Sequence, residues 1–193
     1  MPVTPVGRSS GIDINSDLQG AQILVLVIPE DQYNDKVMAI LKNLAESNTN
    51  KVCYVSLNRP YSSLRNNLAS AGVSINSIYV IDAITKTAEM AENTENVEFI
   101  SSPDALTELS LAVSNSFDVK KFNYLFFDSL STLLVYESDR VVTKFVHFLM
   151  AKIRVVEARA IFTVLKRDVD SVLLKDINMF ADKIVDLEYW NPK

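Results

Sequence analysis

Short, continuous apolar runs alternate along this chain with longer stretches in which apolar residues recur every three or four positions. That alternation predicts buried β-strands separated by amphipathic helices. Gln22–Ile28 reads as the first strand, and Tyr33–Ser47 as a helix whose Val37, Ile40, Leu41 and Leu44 form one stripe. Val52–Leu57 is the second strand. Ser62–Ala71 is a short helix with Leu64 and Leu68 inward, and Gly72 is placed to supply its left-handed terminal residue. Ile78–Ile81 makes a third strand, the polar stretch Thr85–Asn96 an irregular excursion, Val97–Ile100 another strand, and Pro103–Ser114 a helix opened by proline. Tyr124–Phe127 reads as the central strand, followed by a loop and by the helix Ser138–Val156, with Val142, Phe145, Phe148, Leu149 and Ile153 inward. Arg159–Leu165 and Lys183–Leu187 complete the strands, with Asp170–Phe180 as a helix between them.

Buried strands separated by helices imply an open, mainly parallel sheet covered on both faces, because right-handed crossovers place the helices there. The expected class is a three-layer α/β domain. Residues 1–20 carry Pro, Gly and Ser and read as an extended or mobile lead, leaving residues 21–193 as one domain. The order of strands across the sheet is not readable from the pattern.

Composition narrows the function. With 193 residues, 48% hydrophobic, and a formal net charge of −5, the chain suits one well-buried unit and lacks the basic footprint of a nucleic-acid binder. Cys53 is the single cysteine, so neither a disulfide framework nor a cysteine-rich zinc site is available within one chain. The amino-terminal residues hold no apolar signal core, and Ile23–Ile28 is far shorter than a bilayer span. A reducing, cytoplasmic setting without membrane contact is expected.

The candidate chemistry lies in Phe122–Ser131, where the apolar run Tyr124–Phe127 ends in Asp128 and Ser129. A parallel strand would deliver that carboxylate to the carboxyl edge of the sheet, where such folds bind ligands. The chain has only four glycines, Gly7, Gly11, Gly20 and Gly72, which excludes both G-x-x-x-x-G-K-[ST] and G-x-G-x-x-G. Those loops need glycine because backbone N–H groups must approach phosphate oxygens closely.

Gly11–Asp13, the strand Gln22–Ile28, Val52–Val73, Phe122–Leu134 and Asp182–Glu188 together resemble archaeal RecA/KaiC-like ATPase domains, and the resemblance covers almost the whole chain. It implies a RecA-like fold, with Asp128 in the place of the family's magnesium-binding aspartate and Ser129 beside it. It also implies a glycine-rich loop after the first strand, where this chain reads Pro29–Val37. Aligned on Lys36, the motif glycines become Glu30 and Asp35, and Val37 stands where a Ser/Thr hydroxyl would meet magnesium. Glu30 and Asp31 are expected to cap the following helix and so repel a polyphosphate from its amino terminus. Acidic residues that activate water would follow the second strand in this family, but Asn58 and Arg59 occupy those positions. Neither acts as a base at neutral pH.

Two readings of Asp128 remain open from the residues alone. It caps a local turn, with Ser129, Ser131 and Thr132 in similar work, or it holds magnesium with further ligands. Lys36, a residue type common at exposed helix positions, is a candidate ligand contact. His147 is expected on a solvated face of its helix with Thr143, Lys144 and Arg154, and Cys53 as a buried apolar residue. Lys166, Arg167, Asp168 and Asp170 are expected in a solvated loop, with contact to a neighbouring subunit as the alternative. Tyr189 and Trp190 cover the core edge or form a docking surface. A flavodoxin-like or receiver-type domain is the competing fold, with Glu30 and Asp31 as the acidic pair after the first strand and Asp82 at the end of the third.

The expected function is a non-catalytic RecA/KaiC-like regulatory or assembly module with a protein partner or self-association, no cofactor, and no ATP hydrolysis by the usual route. The alternative is a weak or unconventional ATP-binding protein using magnesium, Asp128 and Lys36.

Overall fold

The computed structural model describes residues 16–17, 20–46 and 49–190. The Gly11–Asp13 match, most of the expected lead, and the last residue of the expected Tyr33–Ser47 helix lie outside the described residues. Seven strands form one sheet: β1 (Ile23–Ile28), β2 (Val52–Ser56), β3 (Ile78–Asp82), β4 (Val97–Phe99), β5 (Tyr124–Asp128), β6 (Arg159–Leu165) and β7 (Lys183–Asp186). Their order is β4-β3-β2-β5-β6-β1-β7, and every neighbouring pair is parallel. β1, β2, β3 and β5 are buried along their whole lengths, as strands covered on both faces must be.

Alternate strand residues feed two cores. Val52, Tyr54, Val80, Phe126 and Ile161 face α1 (Tyr33–Ala45) and α2 (Tyr61–Ser70), which contribute Val37, Ile40, Leu41, Leu44, Leu64 and Leu68. Cys53, Val55, Ile81, Phe127 and Phe162 face α3 (Leu106–Asp118), α4 (Leu130–Tyr136), α5 (Asp139–Val155) and α6 (Val172–Ile177). The three-layer α/β expectation therefore holds, with all strands parallel. Gly72 adopts φ +74° after α2, where Val73 N–H closes the helix on Leu68 O at 2.8 Å.

Four local expectations change. The helix expected at Pro103–Ser114 runs over Leu106–Asp118 behind Ala105, so Pro103 stands in the turn before it rather than opening it. The segment after β5, expected as a loop, is α4, because Ser129 Oγ accepts from Thr132 N–H at 3.2 Å and starts a helix there. The helix expected at Asp170–Phe180 shrinks to α6 behind a second serine cap, Ser171. On α5 the inward line runs through Val142, Phe145, Val146, Leu149, Met150 and Ile153, which turns Phe148 outward to 46% exposure.

Candidate functional site

Parallel pairing places Ser56 of β2 level with Asp82 of β3 on one side and Asp128 of β5 on the other. All three sit at the carboxyl edge of the sheet and are buried, so each carboxylate needs internal partners.

Asp128 receives four. The Tyr33 hydroxyl at the start of α1 donates to Oδ1 at 2.5 Å, and Asn58 Nδ2 donates to the same oxygen at 2.9 Å. The Tyr54 hydroxyl of β2 donates to Oδ2, and the Arg59 guanidinium lies 3.5 Å from it. Arg59 Nε also donates to Asn58 Oδ1 at 3.2 Å, which ties the two loop residues together. Behind Tyr33 stands Thr163 of β6, with the two hydroxyl oxygens 2.6 Å apart and Thr163 Oγ1 donating to Phe127 O at 3.2 Å. Desolvating an isolated carboxylate costs several kcal/mol, and these donors with the Arg59 charge offset that cost. Burial lifts the Tyr33 and Tyr54 phenols well above their ordinary pKa, and the neighbouring Asp128 charge raises them further.

The aspartate is thus no turn cap. Its peptide to Ser129 is cis, and the capping of α4 falls to Ser129, while Ser131 Oγ accepts from Leu165 N–H at 2.8 Å. Asn58 and Arg59, noted in the sequence for being non-acidic, serve as donors to Asp128. Tyr33, Tyr54 and Thr163 were missed, because an aromatic at a helix start and another inside an apolar strand both read as plain core.

The residues at the helix start take other partners. The chain enters α1 through a 3-10 turn, Glu30–Gln32, without side-chain capping, so the expected caps are not made. The Glu30 carboxylate instead accepts from Arg167 N–H at 3.1 Å, bridging to the turn after β6. Its own amide and that of Arg167 hold its pKa below the usual range. Asp31 and Asp35 are exposed.

Lys36 differs more sharply from the exposed position expected, since it is only 2% exposed. Its Nζ donates to Leu187 O and, at 3.4 Å, to Glu188 O, just past β7. Desolvation lowers its pKa, partly opposed by Asp186, Asp31 and Glu188. The ammonium therefore holds the carboxyl-terminal segment, whose Trp190 is buried while Tyr189 is exposed.

Asp82 is wholly internal. Its carboxylate accepts from Tyr61 N–H and Ile84 N–H, both at 2.7 Å, from Thr85 N–H at 2.9 Å and from Thr85 Oγ1 at 2.5 Å. It fastens the start of α2 and the turn after β3, which accounts for it without a phosphoacceptor role. Lys166 pairs with Asp186 at 3.1 Å and with Glu188, so it is not a free loop cation. His147 packs its ring against Phe180 with a buried Nε2, rather than facing solvent. Burial pushes the Cys53 thiol up to about 12, as an inert core residue requires. A cleft of about 220 Å³ opens beside the Asp128 cage, between Leu57, Asn58, Ile84, Val135, Tyr136 and Arg167.

A family model described as a family of unknown function, DUF7504, matches residues 20–187, nearly all of the sheet and its helices. The chain belongs to DUF7504. No curated protein sequence matches it. Among solved structures, this DUF7504 chain is similar to a KaiC-like protein from the hyperthermophilic archaeon Pyrococcus horikoshii, with TM-score 0.65 and 12% identity, covering 86% of this chain and 72% of that one. It is also similar to an uncharacterized P. horikoshii protein solved in complex with an unknown peptide, with TM-score 0.64 and 19% identity, covering 91% and 82%. Identities this low speak for the fold alone, and the fold of this chain is RecA/KaiC-like. Among the described residues no helix is long and apolar enough to cross a membrane.

Proposed function

We propose that this DUF7504 protein is a non-catalytic RecA/KaiC-like module that acts through protein–protein contacts, as a regulatory or assembly component in the cytoplasm. The observation that carries this reading is the enclosure of Asp128 by Tyr33, Tyr54, Asn58 and Arg59. Magnesium needs several open oxygen ligands, and both oxygens of Asp128 are already taken by donors from the chain itself. Lys36 is turned toward the carbonyls past β7, Val37 brings no hydroxyl, and Glu30 and Asp35 add charge that opposes polyphosphate. The residues present therefore do not fit ATP and magnesium, and Asn58 and Arg59 supply no base for hydrolysis.

A protein partner or self-association is the better use of this scaffold. The peptide-bound fold neighbour supports that reading, and the net charge of −5 argues against nucleic acid. The test is a thermal-shift titration with ATP, ADP and GTP, with and without magnesium, backed by equilibrium dialysis on the wild-type chain. No saturable shift at millimolar nucleotide is expected. A ligand at a hundred times its dissociation constant would stabilise by roughly 2.7 kcal/mol. A magnesium-dependent rise of that kind, lost in Asp128→Asn, overturns the reading. Dialysis decides the matter should that variant fail to fold.

A further inference from the structure

The two helix layers differ in what they show to solvent. Of thirteen exposed large hydrophobic side chains among the described residues, eleven lie between Leu111 and Phe180, and α1 and α2 carry none. The pattern is most regular on α5. There Val141, Phe148 and Val155, at 37%, 46% and 80% exposure, recur every seventh residue on the side turned away from the core. Exposed Lys144 and Ala151 fall between them at the alternating three- and four-residue spacing of a helix-packing seam. Arg140 and Lys144 at the amino-terminal end of this stripe have no ion-pair partner among the described residues. The outer face of α5 is therefore apolar and basic on a chain whose net charge is −5.

The complementary surface is on the same chain. Between β3 and β4, Glu89, Glu92 and Glu95 are exposed and have no ion-pair partner among the described residues, and Met90 in the same segment is 101% exposed, the highest of any large hydrophobic described. This segment is held at both ends. Glu89 N–H reaches Thr85 O at 3.0 Å, Thr94 N–H reaches Val97 O at 2.8 Å, and Asn93 Oδ1 accepts from Phe99 N–H at 2.8 Å. A loop tied at both ends thus presents an unbranched, adaptable apolar side chain in a segment that carries three exposed glutamates.

We propose that the 89–95 loop of one copy docks on the outer face of α5 of a second copy, with Met90 against Val141 and Phe148 and the glutamates facing Arg140 and Lys144. The proposal rests on the assembly reading above and names its contact. The two surfaces are different, so the interface is heterologous and propagates head to tail into a ring or filament. One loop on one helix face is a small interface, so the association is weak, concentration-dependent and reduced by salt.

Sedimentation velocity from micromolar to millimolar protein tests it. Wild type is expected to rise in average mass above one chain, and Met90→Asp and Phe148→Asp each to remain single chains with unchanged circular dichroism. Both side chains are exposed, so neither substitution threatens the fold. An equimolar mixture of the two variants should yield pairs and nothing larger, because only the intact loop of one fits the intact helix of the other. Three results overturn the contact: a wild type that stays a single chain at millimolar concentration, association that survives Met90→Asp, or a mixture that forms no pairs. None of these alters the nucleotide titration, so the contact and the non-catalytic reading fail separately.

Discussion

The Tyr33 hydroxyl reaches a carboxylate 95 residues further along the chain, donating to Asp128 Oδ1 at 2.5 Å, while Tyr54 donates to the other oxygen. Removing either donor leaves a buried charge short of a partner, which costs roughly 1–3 kcal/mol. Tyr33→Phe and Tyr54→Phe should each lower the denaturation midpoint accordingly. Because both act on one carboxylate, the double variant should depart from the sum by at least about 0.5 kcal/mol. Negligible losses in urea unfolding would mean that Asp128 is held by Asn58 and Arg59 alone, and fully additive losses would mean that the two phenols do not act through one carboxylate.

The same phenols set an alkaline limit. Tyr33, Tyr54 and Tyr79 all have folded-state pKa values above the ordinary 10.0, mainly through burial. Raised folded values mean that the stabilisation is complete below the unfolded pKa of about 10 and is lost as pH climbs above it, where the unfolded chain ionises first. Unfolding free energy measured across that boundary should fall with pH, and Tyr54→Phe should flatten the slope. Tyrosinate absorbance appearing in the native protein near pH 10 from these residues would contradict the prediction.

Lys36 joins α1 to the segment after β7 through the Leu187 and Glu188 carbonyls. Lys36→Met keeps most of the buried stem but deletes the donors. A cost of about 1–3 kcal/mol is expected from the orphaned carbonyls. Trp190 is the single tryptophan and is buried nearby, so its emission should shift to the red and quench more readily. Unchanged fluorescence would show that the tail is held by Trp190 packing alone.

Cys53 has no exposed surface, and burial pushes its thiol up to about 12. Native protein should resist iodoacetamide at pH 8 and label at a rate governed by opening of the sheet. Fast native labelling would mean that β2 opens far more readily than a central strand should.

Much of this fold was legible because fully buried parallel strands read as plain apolar runs, and β6 was found at its observed bounds. Helix α4 was not. Its LSTLLVY has no polar side to give a period, and the usable signal was Ser129 three residues before Thr132. Asp128 could be placed from the end of its strand, but its partners depend on β2 lying beside β5, a neighbour relation that no local pattern encodes. Tyr54 sits two residues before Ser56, the register partner of Asp128, which brings the two side chains to one face only once the strands are ordered. Lys36 was misjudged because a lysine's burial depends on carbonyls about 150 residues away.

β1 is flanked by β6 and β7, so Ile23 pairs beside Ala160 and Leu24 beside Lys183. During synthesis the ILVLVI segment leaves the ribosome long before either of its neighbours, β6 at Arg159–Leu165 and β7 at Lys183–Asp186. Until they arrive, the most hydrophobic strand has two open edges and the composition of an aggregation nucleus. Folding yield should therefore respond to holdase chaperones and to translation speed more than the stability of the finished sheet would suggest.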